Sequence, residues 1–370
     1  MIDKRKIILI IIIIFIIASI YFLQRSKTDI SSEPINITQV TAESDRLSLA
    51  RIAEKEEKYI RAPELQGITG YLNLNNTKIT IQENIGKKII LIDFWTYSCI
   101  NCQRTFPYLN AWWSRYKDKG LLIIGVHSPE FEFEKRRENV ENAIKQFGIE
   151  YPVVQDNNFQ TWRAYRNHYW PAKYFIDIDG FFVYGHFGEG DYELLENKIQ
   201  ELLEERAQIL QEKINISKDM VKPETDSPDF NKIKTNEIYF GYDFTLEFIG
   251  NKEGFKPEQE IVYKLPEPFY RKENIAYIEG KWYNGNDHME LRSEAGKIAL
   301  KFEAKKVNIV AGASTDTIIN ITLDSKPETK KQIQIKDNTL YNIVSLSNYS
   351  KHELQIDAQK GFQIYTFTFG

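Results

Sequence analysis

Cys99 and Cys102 are the only two cysteines among the 370 residues, and two residues stand between them. Thiols at that spacing can alternate between dithiol and disulfide: the first acts as nucleophile, and the second attacks whatever mixed disulfide the first one forms. Zinc binding is the other chemistry open to a Cys-x-x-Cys pair. It would need two further ligands from His127, His168, His186, His288 and His352, and none of these forms a His-x3-5-His pair. Covalent haem attachment is excluded, because Gln103 stands where a histidine would have to follow Cys102. A purely structural bridge would close a very short loop, which stabilises little by the loop-entropy argument. The expectation is a redox centre with no cofactor or metal beyond the cysteine pair.

The elements that must position the pair can be read on either side of it. Residues 88–95 form a strand-like apolar run, with IILIDFW at 89–95 of the type buried on both faces, and a helix-like run begins at Gln103. A helix N-terminus at this point favours the thiolate of the first cysteine. Further on come a helix at 104–116, a buried strand at 121–126 (LLIIGV), a charged helix at 134–147 and a short helix at 159–165. Residues 173–177 and 181–186 read as a hairpin around Asp179-Gly180, and 191–205 as a closing helix with Leu194, Leu195, Ile199, Leu202 and Leu203 at helical spacing. Alternating strands and helices predict a central mixed sheet with helices on both faces. Asp93 lies inside the apolar strand, where an unpaired carboxylate costs several kcal/mol. A raised pKa there would suit it to general-base work near neutral pH.

From about residue 238 the pattern changes to alternating strands with Gly, Asn and Asp turns, at 281–283, 298–303, 307–311, 317–323, 340–346, 352–358 and 362–369. Short strands at regular spacing predict an all-β sandwich. At the other end, residues 7–23 are almost unbroken apolar sequence, preceded by Lys4, Arg5 and Lys6 and followed by Arg25 and Lys27. That length is near the lower limit for a membrane span. No small-x-small cleavage site stands out after it, so the run reads as an uncleaved single-pass anchor in the cytoplasmic membrane, with the C-terminal portion on the extracytoplasmic side and a cleaved signal peptide as the rival reading. The charge-rich stretch 42–58 (AESDRLSLARIAEKEEK) reads as a solvated helix or spacer, and a second break falls at 215–234. The expected organisation is an anchor at 1–27, a charged linker at 28–60, an α/β domain at 61–207, a linker at 208–236 and a β-sandwich at 237–370. With a net charge of −4 and no basic cluster interleaved with aromatics, nucleic acid is not an expected partner.

Residues 62–203 resemble the thioredoxin fold in its TlpA-like, membrane-anchored branch. The likeness is closest to the extracytoplasmic part of DipZ-type thiol-disulfide proteins, through DFWTYSCINCQRTFPYLNAW, GVHSPEFEFE, NHYWPAKYFID and GEGDY. The end of the chain, through Tyr365 to Gly370, is similar to the DipZ C-terminal domain. The resemblance implies that Cys99 is the exposed nucleophile, that Cys102 is the buried resolving thiol, and that the pair forms a redox-active disulfide. It also implies that Asp93 accepts the proton of Cys102, that Pro107 kinks the active-site helix, and that a cis peptide joins Trp170 to Pro171, whose backbone edge pairs with substrate. Trp95, Tyr97 and Glu130 are expected beside the cysteines as substrate contacts, with Glu132 near them after the second strand. Trp170 stands where a small or β-branched residue is usual, and Ser98 where tryptophan is common.

DipZ C-terminal domains resemble carbohydrate-binding modules, so Tyr239, Tyr242, Trp282 and Tyr283 are candidate sugar platforms, with docking of a protein ligand as the alternative. The multi-span electron-conducting domain of DipZ is here replaced by one span, which implies a separate membrane donor of the CcdA/DsbD type. The resulting expectation is a protein-disulfide reductase acting on exported, disulfide-bonded proteins. Two alternatives stay open: a thiol peroxidase, for which Thr96 is in place but Ile92 stands where a proline is needed, and a non-catalytic binding or adaptor protein working through the sandwich.

Overall fold

The computed structural model describes residues 42–75, 77–244 and 249–370. The apolar run 7–23, with the anchor expected there, lies outside the described residues. Among the described residues no helix is long and apolar enough to cross a membrane.

The charged stretch forms helix α1 (Ala42–Lys58) and leads into a short strand, β1 (Ile60–Arg61). The helix expected there is present, and it is tied to the rest of the chain. Arg51 forms a two-pronged ion pair with Asp179, at 2.8 Å on each arm. Lys55 reaches Asp177 at 2.6 Å, Asp179 at 2.9 Å and Glu205 at 2.5 Å. Burial disfavours a charged Lys55, but its three carboxylate partners outweigh that and raise its pKa. The helix is charged because it bonds to a charged hairpin, a reason that its composition alone does not disclose.

The α/β region then runs through β2 (Gly70–Leu72), β3 (Ile89–Trp95), α2 (Ile100–Tyr116), β4 (Leu121–His127), α3 (Arg137–Gln146), β5 (Val153–Gln155), α4 (Gln160–Ala164), β6 (Ala172–Ile176), β7 (Phe181–Phe187) and α5 (Tyr192–Leu210). Among the described residues these strands form one sheet in the order β1-β7-β6-β3-β4-β5-β2. β3, β4 and β5 are parallel, while β6 runs antiparallel to β3. All seven residues of β3 are buried, as a strand covered on both faces requires. Ile89, Leu91 and Trp95 face the core under α2 and α5, whereas Ile90, Ile92 and Phe94 face the opposite core. Asp93 follows the odd-numbered positions by strand alternation, which turns it toward the side that holds Cys102.

The segment after α5 is laid along the redox region, with Ile214, Ile216 and Val221 against its core and the Val221 N–H donating to Glu196 at 2.8 Å. Beyond it come β8 (Ile238–Tyr239), β9 (Glu260–Tyr263), β10 (Ala276–Asn284), β11 (Met289–Leu291), β12 (Ala295–Ala313), β13 (Thr317–Leu323), β14 (Lys326–Ile335), β15 (Thr339–Gln359) and β16 (Phe362–Phe369). The region is all-β as expected, but its strands are not short and regular. The predicted runs 298–303 and 307–311 are two parts of the 19-residue β12, and 340–346 and 352–358 are two parts of the 21-residue β15. A register shift between Ala304 and Lys306 marks where β12 bends. Its first part pairs with β10 and its second with β16, while β15 follows it along nearly its whole length. Among the described residues the strands therefore join into one hydrogen-bonded sheet, with β9 attached beside β10. Val310 and Tyr365 from this region belong to the same buried cluster as Cys102.

Candidate active site

Cys99 caps the N-terminus of α2, its Sγ accepting the backbone N–H of Cys102 at 3.3 Å. Cys99 is half-buried, Cys102 is fully buried, and both are free thiols. Burial raises the Cys102 thiol well above the ordinary range, and the neighbouring Cys99 and Asp93 raise it further. Cys102 therefore keeps its proton until something removes it. Pro107 lies inside α2 as expected, and the Thr105 hydroxyl donates to the Cys102 carbonyl at 2.8 Å.

Asp93 is entirely buried, and the structure gives it a partner that the sequence reading missed. Lys173, equally buried, is its cross-strand neighbour on β6, with Nζ 3.2 Å from Oδ1, an ion-pair contact not aligned as a hydrogen bond. Desolvation raises the Asp93 pKa, and the charge of Lys173 opposes that shift. The signal that singled out Asp93, a charge in an apolar strand, was also present in the Ala172–Ile176 run (AKYFI). On the other side of Asp93, the β4 partner is Gly125. A Cβ there would come within 2.8 Å of Trp95 Nε1 and 3.2 Å of Tyr151, so only glycine leaves those rings their places beside the carboxylate.

Trp170-Pro171 is a cis peptide. The Trp170 carbonyl lies 4.0 Å from Cys99 Sγ. The Trp170 indole N–H donates to the Ser128 carbonyl at 2.9 Å, and its ring lies 4.2 Å from Trp162, so the half-buried side chain forms a fixed apolar wall beside the sulfur. Two of the other expected substrate contacts are corrected. Trp95 is wholly buried, packed edge-on against Phe106 and His127, and cannot touch substrate. Tyr97 is also buried. Its ring stacks on His127, and its hydroxyl donates to the Asn338 carbonyl of the C-terminal region at 3.4 Å. His127, closed in by these rings, is pushed down to about 3 by burial and is neutral.

The loop after β4 sets its acids in different environments. Glu132 is exposed, while Phe131, Phe133 and Glu134 are buried. Glu134, which the sequence reading passed over, accepts the Ser98 hydroxyl at 2.6 Å, the Ser98 N–H at 3.3 Å, the Glu130 N–H at 2.6 Å and the Phe131 N–H at 3.0 Å. It thereby fixes the backbone immediately before Cys99. Glu130 points its carboxylate at Tyr239 of β8, 2.7 Å away, and is pushed up to about 8 by burial and by the nearby Glu134. The same loop plugs into the C-terminal region, where Tyr365 meets Phe131 at 5.1 Å and Phe133 at 4.8 Å.

Of the four aromatics proposed as sugar platforms, Trp282 is a core residue and Tyr239 belongs to this interface. Tyr242 and Tyr283 are half-buried and share Glu258, at 2.6 and 2.5 Å. The acidic group Asp177, Asp179 and Glu205, which has the spacing of metal ligands, is bridged by Lys55.

Residues 61–184 match the AhpC/TSA family, and residues 235–370 match the thioredoxin-like C-terminal domain. Over 318 residues, 84% of this chain, the sequence is 37% identical to protein DipZ of Mycobacterium tuberculosis, and it covers 43% of that relative's length. It is 32% identical to thiol-disulfide oxidoreductase ResA of Bacillus cereus over 130 residues, 35% of this chain and 72% of the relative. A solved thioredoxin-like protein in its oxidised form aligns with 40% of this chain and 97% of its own, at 28% identity and a TM-score of 0.37.

Proposed function

Since the chain belongs to the thioredoxin-like thiol-disulfide oxidoreductases, we propose that it reduces disulfide bonds of exported proteins while anchored in the cytoplasmic membrane. The observation that carries the chemistry is the asymmetry of the pair: a half-buried Cys99 whose sulfur already accepts an N–H, and a buried Cys102 whose proton is tightly held. The Cys99 thiolate attacks one sulfur of a substrate disulfide lying along the Trp170-Pro171 backbone. That bond breaks, and the electron pair leaves on the second substrate sulfur, which takes up a proton. Asp93, whose pKa burial raises against the opposing charge of Lys173, then accepts the proton of Cys102. The Cys102 thiolate attacks Cys99, forms the Cys99–Cys102 disulfide and expels the first substrate sulfur, which is protonated in turn. Two electrons have passed to substrate, and a membrane dithiol donor of the CcdA/DsbD type returns them with two protons.

The extracytoplasmic setting rests on the apolar run at 7–23, and the direction of electron flow on the likeness to DipZ. A carbohydrate or protein ligand of the C-terminal region remains part of this proposal, with Tyr242 and Tyr283 the aromatics left half-exposed to meet it.

A Cys102→Ser chain expressed in its host tests the reading. Mixed disulfides trapped on Cys99 are expected, and their partners are the substrates. If the wild type turns over disulfides and no adduct forms on Cys99, the order of attack is wrong. Rapid peroxide turnover that survives Cys102→Ser would replace reductase with peroxidase, and unchanged cellular function without both cysteines would favour an adaptor.

A further inference from the structure

We propose a second site in the C-terminal region, independent of the cysteines: Ser350, His352 and Asp324 form a nucleophile, a general base and its orienting acid, arranged to hydrolyse a small carboxylic ester. The Ser350 Oγ lies 2.9 Å from His352 Nε2, and His352 Nδ1 lies 2.8 Å from Asp324 Oδ2. The two ring nitrogens thus take opposite partners, the relation by which such triads are recognised on unrelated folds. Ser350 and His352, two positions apart on β15, share one face by strand alternation. Asp324 comes from the turn between β13 and β14, where it and Ser325 adopt φ of 53° and 55°. Hairpins favour asparagine and glycine for that left-handed pair. The other oxygen of Asp324, Oδ1, accepts the Glu353 N–H at 3.0 Å, so the carboxyl is held while Oδ2 meets the imidazole. Burial opposes ionisation of this carboxyl, but the Glu353 N–H and His352 outweigh it and hold its pKa below the usual range. A carboxylate only accepts. The imidazole proton therefore lies on Nδ1, and Nε2 is left to take the one on Ser350. The other acceptor near that hydroxyl, the Asn348 carbonyl, is further away at 3.4 Å.

Acyl transfer also needs a donor for the oxyanion, and the strand register supplies one. Lys351 lies opposite Glu303 of β12, whose N–H goes to the Thr235 hydroxyl at 2.8 Å and whose carbonyl accepts the Lys234 N–H at 3.0 Å. Glu303 and Lys351 are therefore a pair that exchanges no hydrogen bonds, and the Lys351 N–H points to the other edge of β15. β13 covers that edge only from Leu354 onward, so among the described residues no strand takes up the Lys351 N–H. It follows Ser350 directly, the position from which a backbone N–H serves the nucleophile of other serine hydrolases. A cavity of about 200 Å³ opens here, with Lys351, His352, Glu353, Asp324 and Phe302 among its walls. Three consecutive residues of one strand line it because it sits at the strand edge, and its size suits a short acyl group. Ser350 Oγ attacks the ester carbonyl carbon while His352 takes the hydroxyl proton. The bond to the alcohol oxygen breaks, and the alcohol leaves with that proton. Water, giving a proton to His352, then attacks the acyl carbon, and the bond to Ser350 Oγ breaks as the serine regains a proton. Ester and water become acid and alcohol, with no change of oxidation state.

The test uses the full chain carrying Cys99→Ser and Cys102→Ser, so that no thiol attacks the ester itself. With p-nitrophenyl acetate this chain should release nitrophenolate about a hundredfold faster than the same chain with Ser350→Ala or His352→Gln. Asp324→Asn should lower kcat about tenfold or more with KM unchanged, because Asp324 is a positioning residue that acts through the imidazole. Asp324→Glu, which restores the acceptor, should recover part of that loss, whereas a merely structural role would show no such rescue. A fluorophosphonate probe should form an adduct on Ser350, located by peptide mass spectrometry, and should fail to do so in His352→Gln. The adduct is sought on the intact triad, so it decides the matter even where a substitution disturbs folding. Ester turnover undiminished in Ser350→Ala, or a folded chain that takes no probe on Ser350, overturns the proposal.

Discussion

Asp93 and Lys173 are direct cross-strand partners on β3 and β6, with opposite charges 3.2 Å apart in a part of the sheet closed to solvent. Removing one partner from a buried pair leaves the other charge uncompensated and typically costs about 3–5 kcal/mol, whereas replacing both is often near neutral. Asp93→Asn and Lys173→Met should each destabilise the chain, and the double variant should be more stable than either. Urea unfolding of the reduced forms measures this, and simple additivity would mean that the two charges are not coupled. Both single variants should also lengthen the life of the mixed disulfide in single-turnover experiments, because proton removal from Cys102 becomes slower.

Glu134 makes a different prediction, because it satisfies a set of donors at once. Glu134→Gln keeps the size but gives up the acceptor capacity of a carboxylate, leaving donors of Ser98, Glu130 or Phe131 unmet at about 1–3 kcal/mol each. Thermal unfolding should show a larger loss than Ser98→Ala, which removes only the hydroxyl, and disulfide reduction should fall alongside. Equal effects of the two variants would contradict the role given to the loop.

The Glu130 carboxyl makes stability depend on pH in a stated direction. Its folded pKa of about 8 lies above the ordinary 4.5, so between these values the folded chain holds a proton that the unfolded chain has lost. Stability from this group is complete below the ordinary value and is lost as pH rises toward 8, at up to about 1.4 kcal/mol per pH unit. Glu130→Gln should therefore gain on the wild type steadily from pH 5 to 8 and by no more above it. Chemical denaturation of both chains at pH 5, 7 and 9 checks this, and a constant difference would refute it.

The docking of α1 rests on Lys55 and Arg51. Lys55→Met leaves Asp177, Asp179 and Glu205 facing one another with Arg51 as the remaining cation, so the helix should loosen. Limited proteolysis should cut after Arg51 or Lys58 at least several-fold faster, with the cysteine chemistry unchanged. Cleavage at the wild-type rate would show that the ion pairs do not hold the helix.

The redox half was largely legible in the sequence because its information is local. A continuous apolar strand and a Cys-x-x-Cys at a helix start each carry their meaning in a few adjacent residues, whereas the cis Trp170-Pro171 peptide followed only from the resemblance. What was not legible depends on which residues meet across the fold. Lys173 carries the same anomaly as Asp93, a charge within an apolar strand, but only the β3–β6 register pairs them. Glu134 looks like any helix-start acid until Ser98 and the Glu130 and Phe131 amides converge on it. Trp95 carries no mark that separates a rim aromatic from a core one, and Trp282 in the second half was ambiguous for the same reason. In that half, 298–303 and 307–311 read as two separate strands, whereas the chain passes through a register shift between Ala304 and Lys306 and continues as one.

The Tyr97 hydroxyl reaches a carbonyl 241 positions further along the chain, at Asn338. Contacts between such distant positions form late, because the entropy of closing the intervening loop opposes them until most of the structure has condensed. The buried packing behind the thiol site thus includes a contact that chain connectivity disfavours early. A chain still folding carries both cysteines before it carries this tie between its two halves.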